Sequence, residues 1–111
     1  MRTTLRDVLS QRRPCETFNM SFGKQNTTFT VTVGYYEDGR IGEVFIDGAK
    51  AGSEMADITR DGAVLMSLAL QHGVPLGVMQ HAVSRNADHT AATIVGAVID
   101  RIIAHEDRRK G

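Results

Sequence analysis

The first group in this chain that could do chemistry is a carboxylate set in an apolar strand. Glu43 stands directly before Val44-Phe45-Ile46. A carboxyl group in apolar surroundings holds its proton more tightly, which is what a general acid or base requires. The plainer reading is a strand carboxylate paired with Arg40 or Lys24 across a hairpin, and it carries more weight, because perturbed carboxylates mark sites only statistically. Next comes Asp47-Gly48-Ala49-Lys50-Ala51-Gly52-Ser53. Here Gly48 and Gly52 can let backbone N–H groups converge, Lys50 adds charge, and Ser53 opens a helix, the ingredients of a small-anion cradle. The order is not that of a P-loop, however, and Asp47 opposes an anion, so a strand-to-helix connection capped by Ser53 is the simpler account.

The four histidines, His72, His81, His89 and His105, are nowhere three or four residues apart. No helix can therefore present two of them on one face, and no metal site is expected. His72 fits the last turn of a helix, where it meets the carbonyl end of the dipole. Cys15, the single cysteine, excludes an intramolecular disulfide framework and a multi-cysteine metal site within one chain. Its pairing with a histidine as nucleophile and base has no support in spacing. No catalytic residue is assigned and no cofactor is expected. Glu43, Gly48, Lys50, Gly52, Ser53 and His72 remain as candidate ligand-binding positions.

The elements that must hold these residues can be read in order. Residues 3–12 put Leu5, Val8 and Leu9 at helical spacing behind a Thr cap, as a short helix or a basic arm over 1–13. Pro14 breaks that segment. Phe18, Met20 and Phe22 alternate, and so do Phe29, Val31, Val33 and Tyr35, predicting two half-buried strands. Asp38-Gly39 predicts the hairpin turn into a third strand from Ile41 to Ile46. In that strand Glu43 and Phe45 share the parity of Ile41, which breaks the alternation. A bulge at Gly42 or a strand covered on both faces would explain it.

A helix is expected from Ser53 to His72, with Ser53 as cap and Glu54 and Asp57 in the positive first turn. Met55, Ile58, Leu65, Leu68 and Ala69 form its expected inward stripe. Gly62 costs roughly 0.5–1 kcal/mol there and is expected to permit a close approach to the sheet or another helix. Gly73 and Pro75 end the helix. A second helix over Pro75 to Val83 turns Leu76, Met79 and Val83 inward. Thr90 caps a third, striped by Ile94, Val95, Val98, Ile99, Ile102 and Ile103. The tail at 107–111 is polar and expected to fray. Gln71 to Val83 has the outline of a helix-turn-helix, but with no Lys or Arg before Arg85 it lacks a recognition surface.

The 111 residues predict one domain, over 14–106, with a modest core. Net charge is zero, so the overall field favours neither nucleic acid nor an anionic membrane. Residues 1–13 nevertheless hold four arginines and one aspartate. Such an end can grip RNA or an acidic partner, although a solvated terminus is the plainer reading. No signal peptide and no apolar run of membrane-spanning length is found, and a cytoplasmic protein is expected.

Tyr35 to Ile46, the following Asp47 to Ser53 and then Ser67 to Leu76 resemble the TSCPD domain. That domain is found near the C-terminus of adenosylcobalamin-dependent ribonucleotide reductases and as small stand-alone bacterial proteins. Asp88 to Ile103 resembles the family's closing helix more loosely. The chain lacks the Thr-Ser-Cys-Pro-Asp run that names the domain, and it has no CxxC tail. With one cysteine and no room for a catalytic barrel, it does not inherit the reductase activity.

The expectation is therefore an α+β two-layer fold: an antiparallel sheet of three or more strands covered on one face by about three helices. Open sheet edges or an apolar helix stripe favour a homodimer. The resemblance implies a non-catalytic accessory domain of ribonucleotide metabolism that binds a partner protein or a nucleotide phosphate. The alternative is nucleic-acid binding through the Arg-rich arm.

Overall fold

The computed structural model describes residues 5–110, and the side chains through Arg108. The chain forms two compact units, one through Val74 and one from Pro75. The first holds β1 (Cys15–Phe22), β2 (Thr27–Tyr35), β3 (Ile41–Asp47) and α1 (Glu54–Gln71). The second holds α2 (Leu76–Ala82) and α3 (Ile94–Lys110). The α+β class and the three-stranded antiparallel sheet, in the order β1-β2-β3, are as expected.

Each strand turns one side chain in two toward the core. Phe18 lies opposite Val31 and Met20 opposite Phe29, while Val33 faces Val44 and Val31 faces Ile46. Phe29, Val31, Val33, Tyr35, Val44 and Ile46 are buried on this shared face. The other face carries Thr17, Thr30, Thr32 and Phe45 and is largely open. The hairpin turn places Gly39 at φ +90°, and the Asp38 carboxylate accepts the Arg40 N–H. The broken alternation of β3 is resolved by a bulge: Gly34 pairs with Glu43 and Tyr35 with Ile41, so that Gly42 has no partner. One extra residue returns Ile41, Val44 and Ile46 to a single face and sends Glu43 and Phe45 to the other. At Gly42 a Cβ would run into Leu9 and the Tyr36 ring.

Capping at both ends of α1 follows the sequence signals. Ser53 Oγ accepts the Ala56 N–H at 3.1 Å. At the other end Gly73 has φ +87°, with Gly73 N–H bonded to Leu70 O and Val74 N–H to Ala69 O. That pair of bonds is the Schellman arrangement.

The inward face of α1 differs from the expected one. Met55 and Ile58 are 59% exposed and Leu65 is 67% exposed, with Leu68 also at the surface. Thr59, Ala63, Met66 and Gln71 are buried instead. The reason is that α1 runs beside β3, the edge strand, whose outward N–H and C=O groups need polar or small neighbours rather than leucines.

No helix forms over residues 5–12. That segment is irregular and tied down: Asp7 N–H bonds Gln71 O, the Tyr36 hydroxyl donates to Asp7 O, and Arg40 pairs with Asp7 at 2.9 Å. Burial first, and then nearby Asp7, pushes the Tyr36 phenol above its usual range.

In the second unit, Pro75 precedes α2, and Leu76, Met79 and Val83 are half-buried. The N-cap of α3 is Thr93, not Thr90: Thr93 Oγ1 accepts the Gly96 N–H at 3.2 Å. Thr90 instead donates its hydroxyl to Asp88. In α3, Ile94, Val98, Ile99 and Ile102 are buried as the stripe predicted. The helix continues through Lys110. An Arg85–Asp100 pair at 2.6 Å ties the connecting loop to α3, and Gln80 Nε2 donates to Asp100 from α2.

Candidate functional site

The row Thr59, Ala63, Ser67, Gln71 climbs α1 in steps of four, about 6 Å each. Alternate residues of β3 are separated by about 6.7 Å. The two periods nearly match, and the row meets the outward edge of β3 position by position. Gln71 Nε2 donates to Gly42 O at 2.9 Å. Ser67 Oγ accepts the Val44 N–H at 2.9 Å and lies 3.1 Å from Val44 O.

Because Val44 points its backbone away from β2, period two points the Ile46 N–H and C=O the same way. By the same register Ala63 falls beside Ile46, and alanine offers no polar atom. Thr59, next in the row, is 3% exposed. Its Oγ1 is buried without a hydrogen-bond partner among the described residues. The side-chain stitching of the edge therefore stops halfway along β3.

A groove of about 630 Å³ lies along this seam. Its floor includes Ile46, Ala63, Ser67 and Thr59, and its apolar walls are Phe45 from β3 with Val64 and Leu68 from α1. Arg6 and Glu43 stand at one end, Asp57 and Arg60 at the other. Arg6 is held by Gln71 Oε1, to which its Nε donates at 2.5 Å. Arg60 lies 3.7 Å from Asp57. With Asp47 also in the lining, three carboxylates stand against two guanidinium groups, so the groove is mildly acidic. It offers backbone donors and acceptors, the Thr59 hydroxyl beside the committed Ser67 hydroxyl, and an apolar wall.

The candidate positions from the sequence divide around it. Glu43, Gly48 and Gly52 line the groove, whereas Lys50, Ser53 and His72 do not. Ser53 and His72 flank the opposite ends of an 18-residue helix, about 27 Å apart, so one small ligand cannot touch both.

Glu43 is buried, and its partner is Arg13 rather than Arg40 or Lys24. Arg13 Nε donates to Oε2 and Nη2 to Oε1 at 3.1 Å, a bidentate fork. Hydrogen bonding to Glu43 raises the Arg13 guanidinium's affinity for its proton. The carboxylate lies flat over Gly34, where a Cβ would collide with it. In the 47–53 loop, Asp47 accepts the Gly48 N–H at 2.8 Å. The Ser53 N–H goes to Lys50 O, and so does the Ser53 hydroxyl, at 2.6 Å. These groups serve the loop's own geometry. Among the described residues no group of three His, Cys, Asp or Glu is placed to hold a metal ion, and no helix is long and apolar enough to cross a membrane.

Among the groove residues that were not candidate ligand-binding positions in the sequence are Arg6, Phe45, Thr59, Ser67, Leu68 and Gln71. The available signal was the polar or small residue at every fourth position of α1.

The TSCPD domain model matches residues 3–105. Three curated relatives carry the name vitamin B12-dependent ribonucleotide reductase. The protein of Bradyrhizobium diazoefficiens is 49% identical over 43 residues, 39% of this chain and 3% of the relative. That of Rhodopirellula baltica is 49% identical over 47 residues, 42% of this chain and 4% of the relative. That of Agrobacterium fabrum is 38% identical over 71 residues, 64% of this chain and 5% of the relative. The chain thus spans only a few per cent of the length of these relatives. No solved structure matches significantly. With nearly the whole length matched by one family model, the chain belongs to the TSCPD domain family.

Proposed function

We propose that this chain is a non-catalytic accessory domain of ribonucleotide metabolism, and that it holds an extended segment of a partner protein in the groove between β3 and α1. The carrying observation is the interrupted seam: the buried Thr59 hydroxyl, without a partner among the described residues, next to a stretch of β3 edge that Ala63 leaves unstitched. An extended peptide supplies what such a seam lacks, alternating N–H and C=O groups along the strand edge, with side chains for the Phe45–Leu68 wall. The link to ribonucleotide metabolism rests on the names of the relatives. An exposed free thiol at Cys15 fits a reducing, cytoplasmic setting.

A nucleotide phosphate is the less favoured ligand, because the Gly48 N–H is already bonded to the Asp47 carboxylate and the Ser53 N–H to Lys50 O. The nucleic-acid alternative is weakened in a similar way. Arg6 and Arg13, two of the arm's four arginines, are committed to Gln71 and Glu43.

The test is selection of seven-residue peptides on the immobilised chain, followed by calorimetry. A selected peptide is expected to bind the wild type and to lose about 5–10-fold on Thr59→Val, the worth of one hydrogen bond. Phe45→Ala is expected to weaken it as well. Peptide affinity indifferent to both substitutions would refute the reading. So would thermal stabilisation by ADP, adenosylcobalamin or a single-stranded oligonucleotide with no peptide selected.

A further inference from the structure

The outer face of α1 carries a second pattern. Met55, Ile58, Gly62, Leu65, Ala69 and His72 recur at spacings of three, four, three, four and three. This is the seam of a two-helix coil. The large members Met55, Ile58 and Leu65 are each more than half exposed in the single chain, and exposed apolar surface gathered along one stripe marks an interaction face.

The order of sizes along the stripe identifies the occupant. Placing a second α1 antiparallel, about a two-fold axis between Ala63 and Val64, puts Leu65 opposite Gly62, Ile58 opposite Ala69 and Met55 opposite His72. Every large side chain then meets a small one or an end group, as knobs entering holes require. A parallel pair would set Leu65 against Leu65 and Gly62 against Gly62, crowding one level and leaving the next empty. Charge agrees with the antiparallel choice. The acidic first turn of α1, with Glu54 and Asp57, comes beside the carbonyl end and His72 of the other copy, and the helix dipoles oppose.

We infer that α1 is a homodimer interface, pairing antiparallel with α1 of a second copy through Ile58, Gly62, Leu65 and Ala69. Thr59 and Ser67 of the groove lie on the opposite flank of the helix, so pairing leaves the peptide seam open. The dimer stands or falls independently of the groove reading.

Two measurements test it. In sedimentation velocity the wild type is expected to run as a dimer. Leu65→Glu is expected to raise the dissociation constant at least about 100-fold, from two buried leucines lost per dimer. Leu65 is exposed in the single chain, so the circular dichroism of that variant should be unchanged. For orientation, Met55→Cys with His72→Cys is made in a Cys15→Ser background. The two cysteines of one chain are about 25 Å apart along the helix, too far to join to each other. The double variant is expected to form a covalent dimer on mild oxidation, and each single variant is expected not to. A wild type that is monomeric at millimolar concentration, a Leu65→Glu variant that stays dimeric, or cross-linking by Met55→Cys alone would each overturn the inference.

Discussion

Removing one hydroxyl from the seam should have opposite effects at two positions of the same helical row. In Ser67→Ala the Val44 N–H loses its 2.9 Å acceptor. Val44 is 1% exposed, so water cannot replace that bond without opening the seam. An orphaned buried donor costs about 1–3 kcal/mol, and about 2 kcal/mol is expected here. For a chain of this size that lowers the melting temperature by roughly 8–12 °C. With a urea slope of about 2 kcal/mol/M, the midpoint falls by about 1 M at unchanged slope. Thr59→Val removes a hydroxyl that has no partner among the described residues and leaves a methyl of the same shape, so it should stabilise the chain by about 1 kcal/mol. Val78→Ala, at an exposed position, should stay within about 0.5 kcal/mol. Equilibrium urea unfolding at low protein concentration reads all three. If Ser67→Ala behaved like the Val78 control, or if Thr59→Val destabilised the chain as Ser67→Ala does, the reasoning about β3's edge would be wrong.

Three further expectations follow from other parts of the structure. Gly34→Ala drives a Cβ into the Glu43 carboxylate and should cost about 1–3 kcal/mol by overpacking, read as a lower urea midpoint; an unchanged midpoint would mean that the Arg13–Glu43 pair shifts freely. Gly73→Ala forces φ +87° on a residue with a Cβ and should cost about 1 kcal/mol. Hydrogen bonding from Arg85 first, and then from Gln80, holds the Asp100 carboxyl below its usual range against partial desolvation. A depressed folded value gives stability that is complete above the ordinary carboxylate value of about 4 and is lost as pH falls through the lower one. Asp100→Asn should therefore melt with a shallower pH dependence below about pH 5 than the wild type; equal slopes would contradict the pairing.

What could be read from the chain was what is decided locally. The Asp38-Gly39 turn, the Ser53 cap and the Gly73 stop each depend on a few adjacent residues, and each is where expected. The misplaced parity of Glu43 even located the bulge at Gly42. The face of α1 was not readable by its greasiest stripe, because periodicity reports which side chains are apolar and not what the helix lies against. Beside an open strand edge the inward row had to be Thr59, Ala63, Ser67 and Gln71. Nor could Arg13 be foreseen as the partner of Glu43, thirty residues on, since the sequence ranks near neighbours such as Arg40 first. The N-cap of α3 fell to Thr93 because Thr90 was drawn into the Asp88 turn. Glu43, Gly48 and Gly52 were singled out by residue type alone. The groove they border is made by a register between helix and strand, which no single motif encodes.

Amide hydrogen exchange at Ile46, followed by NMR with and without a peptide selected on the chain, reads the state of the strand edge itself. The Val44 amide, bonded to Ser67, should exchange slowly in both states. The Ile46 amide should exchange much faster than Val44 in the free chain and slow at least about tenfold when the peptide is bound. An Ile46 amide already as protected as that of Val44, or one unchanged by bound peptide, would contradict the claim that this stretch of strand edge is held open for a partner.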